Sequence, residues 1–556
     1  MSTGSTKTRA RNGAGVKEGA GRGAKTPGTL SGAPEAGGTN EMDEMTWRLA
    51  CLFVLLLAAL VRLYALELNP LHHDEGVNGF FLIKLINTGG YQYDPANYHG
   101  PTLYYFALVS AKLFKLVGAG LSIYAIRIVP VAFGVATIWL ILCLRRRLSA
   151  EGALMAAALL ALSPGAVYMS RYFIHESLFV FLTLAIIVAS LRYYESANPI
   201  FLMLASLSAA LLFATKETAM ISAGVMLIAL ASTTLYVRLR RGAAGRSARQ
   251  KKRRGRETKP DALGETLARF DGPTGIAISA LAALALFVVV YLLFYSSFLT
   301  YAQGISDSLK TFEIWAKTGK KDHIHEWYTY LLWLRQEEAP LLALGAAGVT
   351  LALLRARNSF AVFAAAWAIG IIAAYSLIPY KTPWLTLNFI VPLAIIGGYA
   401  VGLLYRWAAD DLAQRLLVLA LAAAALFICG YQMIELNFKH YDEERYVYPY
   451  AHTVRQFLPL VERLDRFAAI AGTGTQTPIN VASPEYWPLP WYLRDYTRVG
   501  YGGRIAGADE PLVICSEEQE FELESALGDR YRRVDSYTLR PGVNLVLYAR
   551  RDLAER

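Results

Sequence analysis

The chain is 556 residues long, 55% hydrophobic and only 18% charged, and its mean hydropathy of +0.32 suits a protein that crosses a membrane many times, not a water-soluble globule. Its formal net charge of +11 would suit a nucleic-acid partner, but the excess sits in loops between apolar runs, as membrane orientation requires, so nucleic acid is set aside. The four cysteines, Cys51, Cys143, Cys429 and Cys515, are far apart with no CxxC or CxH spacing, which argues against a disulfide framework or a zinc site.

Residues 1–45 hold ten glycines in the first forty positions and show no apolar periodicity. They read as a disordered cytoplasmic tail without the layout of a signal peptide. Apolar runs then follow at 47–66, 123–143, 151–168, 174–191, 200–215, 218–237, 274–298, 338–354, 360–378, 385–405 and 415–434. Read as helices, these eleven candidates suit a hydrocarbon core about 30 Å thick, and they predict a mainly α, polytopic domain over residues 46–435.

Residues 101–117 are also apolar but carry Lys112 and Lys115. Were they to span, Arg145, Arg146 and Arg147 and every later basic loop would fall outside, so the positive-inside rule makes them an interfacial helix within a first outer loop, 67–122. The N-terminus is then cytoplasmic, as is the loop 238–272, whose residues 238–259 contain eleven Lys or Arg. A further outer loop covers 299–337. Its segment 317–333 reads either as a closing loop or as a solvated amphipathic stretch.

Hydropathy falls after Leu436. An amphipathic helix over 448–469 and short strands at 479–483, 511–516 and 543–551 predict a small outer α/β domain, 436–556. Its aromatic stretch EYWPLPWYLRDY, 485–496, reads first as packing against the membrane half and second as a lid or sugar platform.

The densest polar signal is LNPLHHDEGVNGFF, 68–81, at the outer edge of the first span. Ionised groups are costly in hydrocarbon, so a cluster there is solvated, paired or functional. Other outer constellations are SRYFIHE at 170–176, Lys216 with Glu217, and YKTPW at 380–384. Together they supply what transfer of a sugar from a lipid phosphate to a hydroxyl requires, namely a carboxylate to take a proton and cations to hold the departing phosphate. Asp74 is the expected base. Glu75, adjacent on what reads as an extended loop, cannot face the same centre and is its positioning partner. Arg171, Lys216 and Lys381 are the expected phosphate-binding cations, the alternative being helix-end residues reaching for headgroups. His72 and His73 raise a metal site, with His99, His175, His323 and His325 as further ligands, but neighbours on an extended loop diverge, and hydrogen-bonding histidines are the default. No metal or cofactor is therefore assigned.

The order of the DE pair after the first span, HGPTLYY at 99–105, SRYFIHE and KTPW resembles the dolichyl-phosphate-mannose protein mannosyltransferase superfamily of glycosyltransferase-C (GT-C) fold. Within it, HHDEG, HGPTLYY, ATKETA at 214–219 and PYKTPWL at 379–385 are most similar to the flippase-activity-associated proteins of archaea and bacteria, over about residues 47–431. The resemblance implies a multi-pass cell-membrane glycosyltransferase with a polyprenyl-phosphate sugar donor, inverting transfer on the outer side, and a protein or glycolipid acceptor. It carries over Asp74 with Glu75, and Arg171 with Glu176. His73, His99, Tyr104, His175, Glu176, Glu217 and Trp384 are the accompanying pocket candidates. The chain departs from relatives acting on lipid A at His99, Gly100 and Pro101, where those carry Lys-Pro-Pro. The group's label also leaves open a non-catalytic partner of a lipid-linked-sugar flippase.

Overall fold

The structure is a computed structural model and describes residues 42–97, 99–249, 270, 272–318, 323–502 and 509–555. The expected tail, up to residue 41, and most of the expected basic loop lie outside the described residues.

Helices α1 (Glu44–Leu63), α2 (His73–Thr88), α3 (Thr102–Leu116), α4 (Ile123–Leu142), α5 (Ala150–Leu162), α6 (Pro164–Ser170), α7 (Glu176–Ser196), α8 (Pro199–Phe213) and α9 (Ala219–Arg249) form the first half of the membrane part. The second half comprises α10 (Gly272–Tyr295), α11 (Gln303–Thr318), α12 (Thr329–Glu337), α13 (Ala339–Arg355), α14 (Ser359–Leu377), α15 (Leu387–Trp407) and α16 (Leu412–Ile434). Polar caps start several of them: the Asp43 carboxylate accepts from the Thr46 N–H at the head of α1, and Asn358 and Asp411 do the same for α14 and α16.

All eleven expected apolar stretches are helical, but they are not eleven equal spans. Among the described residues eight helices are long and apolar enough to cross a membrane, and up to ten if each of two bent pairs counts as one. The third stretch breaks between α5 and α6 with a 62° bend, where Ser163 caps α6 and Pro164 opens it. The eighth, α13, is bent by 115° from α12. The fifth, α8, has 15 residues, about 22 Å of helix against a core of about 30 Å.

The most enclosed element is α15, which packs along α5, α13 and α14. Glycines permit its approach to α5: a Cβ at Gly398 would lie 2.4 Å from the Gly152 carbonyl oxygen. At one end of the bundle, arginines bind the helix turns together. Arg145 pairs with Glu44 at 2.8 Å, Arg147 with Glu195 at 2.6 Å, and Asn358 donates to the Arg147 carbonyl at 2.7 Å. At the other end the segments 64–75, 171–176, 214–218, 378–386 and 440–454 gather. These carry the outer constellations of the sequence.

The C-terminal region holds α17 (Leu458–Ile470) and a five-stranded sheet, β1 (Ile479–Val481), β2 (Val499–Tyr501), β3 (Leu512–Ser516), β4 (Tyr531–Arg540) and β5 (Val543–Arg550), in the order β2-β1-β3-β5-β4. β2, β1 and β3 are parallel, and β5 is antiparallel to β3 and β4. Phe457, Leu460, Leu464, Ile479, Leu512 and Leu547 fill its core. Three strands match the expectation; β2, which is very short, and β4, whose Arg532, Arg533 and Asp535 mask its pattern, were not foreseen. The helix expected over 448–469 begins regular α geometry only at Leu458. Residues 440–454 instead form an irregular strap, broken at Pro449 and pinned to the membrane half, where the Tyr168 hydroxyl donates to the Tyr441 carbonyl at 3.0 Å.

Candidate active site at the polar end of the bundle

The HHDEG motif is not an extended loop. His72 is the N-cap of α2, which places Asp74 and Glu75 in its first turn. The His72 Nδ1 accepts from the Asp74 N–H at 3.0 Å, and Glu75 accepts from the His72 N–H at 3.1 Å, a reciprocal cap. Acidic residues suit this end of a helix, where unpaired N–H groups carry partial positive charge.

The two carboxylates then diverge. Asp74 is 38% exposed, whereas Glu75 is fully buried. Glu75 receives Arg127 through two bonds, Nε at 2.8 Å and Nη2 at 2.6 Å, and also the Phe173 N–H at 2.7 Å. Arg127 spends its other donors on the carbonyls of Leu66, Asn69 and Pro70, at 2.8, 3.0 and 3.3 Å. The pair thus ties the turn before α2 to the turn before α7. Sequence reasoning found Glu75 but missed Arg127, an isolated charge inside an apolar run.

A second group lies beside the first. Lys216 Nζ sits 2.5 Å from Glu176, and Glu217 meets the His99 Nδ1 at 3.2 Å. The His99 and His175 rings are 4.8 Å apart. His175 Nε2 donates to the Gly100 carbonyl at 3.3 Å, and its buried Nδ1 has no partner among the described residues. Tyr104 lies edge-on to His175 at 5.6 Å and donates to Asn78 at 3.0 Å.

Electrostatics follow the geometry. Burial alone would lower Lys216 and raise Glu217, but Glu176 and Glu217 outweigh it for the lysine, holding it above its ordinary range, while His99 and Lys216 hold Glu217 below its own. Tyr172 and Tyr380 connect the two groups. Burial pushes both phenols up, Tyr380 to about 12; Asp74 and Glu176 add to the rise in each, while Lys216 opposes it at Tyr380. Neither tyrosine was assigned a role from sequence.

The three expected cations do not converge. Arg171 turns away from the carboxylates and donates to the carbonyls of Val61, Arg62, Tyr64 and Ala65, at 3.3, 3.3, 2.5 and 2.7 Å, closing the C-terminal end of α1. Burial and the nearby Arg127 pull its pKa down to about 10. Lys381 donates to the carbonyls of Ser376 and Ile378, at 3.1 and 2.6 Å, at the end of α14. Of the three, Lys216 is the one that pairs with a carboxylate among the described residues, Glu176.

The remaining predicted residues are spread over the same end. Trp384 lies 6.3 Å from the His72 ring, and His73 faces Trp487 of the C-terminal region at 6.1 Å. His323 meets the Tyr450 hydroxyl at 2.9 Å, and His325 packs edge-on to Trp333. Among the described residues no group of three His, Cys, Asp or Glu side chains is placed to hold a metal ion. The aromatic stretch 485–496 packs on α2: the Tyr492 hydroxyl accepts from the Leu71 N–H at 2.9 Å. A Cβ at Gly76 would fall 2.6 Å from the Pro488 Cβ, and one at Gly79 2.5 Å from Trp491.

Residues 98–242 match a family described as dolichyl-phosphate-mannose-protein mannosyltransferase. No curated protein matches the chain. Among solved structures, ArnT from Cupriavidus metallidurans in the apo state aligns with a TM-score of 0.60 and 16% identity, over 91% of this chain and 98% of that one. ArnT bound to undecaprenyl phosphate aligns with a TM-score of 0.60 and 15% identity, over 92% and 99% of the two chains. The archaeal oligosaccharyltransferase AglB from Archaeoglobus fulgidus, in complex with an inhibitory peptide and a dolichol-phosphate, aligns with a TM-score of 0.53 and 12% identity, over 85% and 70%.

Proposed function

We propose, from its fold and the family match over residues 98–242, that the chain is a protein-mannosyltransferase-like enzyme of GT-C fold that transfers a sugar from a polyprenyl-phosphate donor to an acceptor hydroxyl, with Asp74 as general base. The observation that carries this reading is the division of labour at the head of α2. Arg127 withdraws Glu75 into the interior, which leaves Asp74 as the half-exposed carboxylate of the pair, with Tyr172 and Tyr380 in the field of both Asp74 and Glu176, the partner of Lys216.

In the proposed reaction Asp74 takes the proton of the acceptor hydroxyl. The freed oxygen attacks the anomeric carbon from the face opposite the phosphate, a carbon–oxygen bond forms, and the bond to the phosphate oxygen breaks with inversion. Lys216 stabilises the negative charge gathering on the departing polyprenyl phosphate. Arg171 and Lys381, which donate to backbone carbonyls at helix ends, set those ends around this site. The Glu217–His99 pair and the open nitrogen of His175 are disposed to bond sugar hydroxyls. No cofactor enters these proposed steps.

The undecaprenyl phosphate and dolichol-phosphate held by the two similar structures support a donor of that class. The arginine-rich turns at the opposite end support a cytoplasmic face there, and with it the reading of the site, the acceptor and the C-terminal domain as outer. The test is release of polyprenyl phosphate by purified protein in liposomes supplied with a panel of polyprenyl-phosphate sugars and a membrane extract as acceptor source. Asp74→Asn is expected to lower turnover by about 10² to 10⁴ with the fold intact; turnover within a few-fold of the wild-type chain would overturn the assignment.

A further inference from the structure

The N-cap of α2 is an unusual choice. Ser, Thr, Asp and Asn cap helices best because one short side-chain oxygen suffices. A histidine caps with Nδ1 and has a second ring nitrogen on the far side. In His72 that second nitrogen is used: Nε2 lies 3.2 Å from the Tyr450 carbonyl oxygen. Because Nδ1 accepts the Asp74 N–H, the ring proton resides on Nε2, and the contact is a donated hydrogen bond. A serine or aspartate would make the first bond and could not make the second.

The ring is buried and held in place, edge-on to Tyr172 at 5.0 Å and to His452 at 5.4 Å. Tyr450 belongs to the strap 440–454, which is anchored at both ends. Asp442 binds Arg455 through Nη2 at 2.6 Å and Nε at 3.0 Å, and the Val454 N–H donates to Leu539 of β4 at 3.0 Å. The sheet therefore connects through the strap to the residue that sets the Asp74 backbone. A second, separate link runs from the same domain to the residue before the cap, the Leu71 N–H on the Tyr492 hydroxyl at 2.9 Å.

We propose that His72 is a positioning residue which couples the outer α/β domain to the general base, so that this domain sets where Asp74 stands instead of serving only as a separate binding module. The proposal rests on the reading of Asp74 as base, and its test includes a readout that does not depend on turnover. Three variants separate the two ring nitrogens: His72→Ala removes both, His72→Asn keeps an acceptor near the Nδ1 position, and His72→Gln keeps a donor near the Nε2 position.

Hydrogen exchange of the full chain in nanodiscs, with no ligand added, reads the coupling directly. His72→Ala is expected to speed amide exchange on the order of fivefold, the loss of one cap, at residues 73–80, and to speed it at 440–454 as well. His72→Asn should restore 73–80 and leave 440–454 fast, and His72→Gln the reverse. If His72→Ala changes 73–80 alone, or neither segment, the coupling is refuted. Should the alanine variant fail to assemble, the contrast between Asn and Gln decides in the same way.

Kinetics add the second arm, with whichever polyprenyl-phosphate sugar supports wild-type turnover. His72→Ala is expected to lower kcat on the order of tenfold with the donor KM unchanged, partly recovered in His72→Asn. A kcat within twofold of wild type refutes positioning even where exchange changes. A wild-type chain without turnover refutes the enzymatic reading, while the exchange arm still decides whether the domain and the helix are coupled.

Discussion

Two buried ion pairs stand a few residues apart at the polar end of this bundle, and they differ in how completely they are satisfied. In Glu75–Arg127 every strong donor and acceptor is engaged. The carboxylate takes two bonds from the guanidinium and two from backbone N–H groups, and the guanidinium reaches three carbonyls besides. In Glu176–Lys216 the ammonium, with three protons, bonds one carboxylate among the described residues, and the neighbouring His175 has an open ring nitrogen. A saturated pair has nothing left for a ligand and is scaffold. A pair with donors to spare, beside an orphaned acceptor and a half-exposed aspartate, is a place for one. The contrast separates positioning from chemistry at a level where residue type alone does not.

Breaking the saturated pair has the largest expected effect on folding. Arg127→Met leaves Glu75 as an uncompensated buried carboxylate and should cost about 3–5 kcal/mol, seen as a large drop in the thermal midpoint of the purified protein. Replacing both partners, Glu75→Leu with Arg127→Met, removes the stranded charge and should recover most of that loss while turnover stays low, because the turn carrying Asp74 is no longer tied to residue 173. A double variant as unstable as the single one would show that the fold requires the charges themselves. The unsaturated pair should respond in the opposite sense. Lys216→Gln is expected to weaken undecaprenyl phosphate binding by roughly 1.5–3 kcal/mol, about ten- to a hundredfold, with a smaller change in midpoint than Arg127→Met. Equal binding by wild type and variant in nanodisc titrations would remove Lys216 from the phosphate site.

Much of the fold was legible in the sequence, because a run of apolar residues long enough to cross a bilayer has few alternatives to a helix. Asp74, Glu75, Lys216, Glu176 and Glu217 were legible as polar groups at span ends. What could not be read was direction. Arg171, Lys216 and Lys381 look alike in sequence, each a lone cation in a short turn, and only the tertiary arrangement shows two of them spent on helix-terminal carbonyls. The start of α2 was missed because histidine is a rare cap, and its capping depends on a ring orientation fixed from the C-terminal region. Arg127 did leave a signal, a single charge inside an apolar span, which by itself demands a buried partner. The bend at Ser163 and Pro164 was likewise written as a cap followed by proline within an apolar run.

The smallest expected effect is a dependence on pH, and its sign follows from how the polar end is built. Burial, reinforced by the His452 and His73 rings at His72 and by His99 and Lys216 at His175, holds His72 and His175 well below the ordinary histidine range, and burial also lowers His452. Geometry agrees, since His72 Nδ1 accepts an N–H and would lose that bond on protonation. A histidine neutral in the folded state but ordinary when unfolded binds its proton more readily in the unfolded chain below about pH 6.5, so stability falls as pH falls. Each such group contributes at most about 1.4 kcal/mol per pH unit, and the decline should begin near pH 6.5, above the range in which Glu217, held low by His99 and Lys216, begins to lose its own contribution. Between pH 6.5 and 5.5 the thermal midpoint of the wild-type chain should therefore drop. In His452→Asn, whose side chain keeps a donor for the Thr453 carbonyl and does not titrate, the slope should be shallower by one group's share. Identical slopes would mean that His452 binds its proton equally in the folded and unfolded chain and adds nothing to the decline.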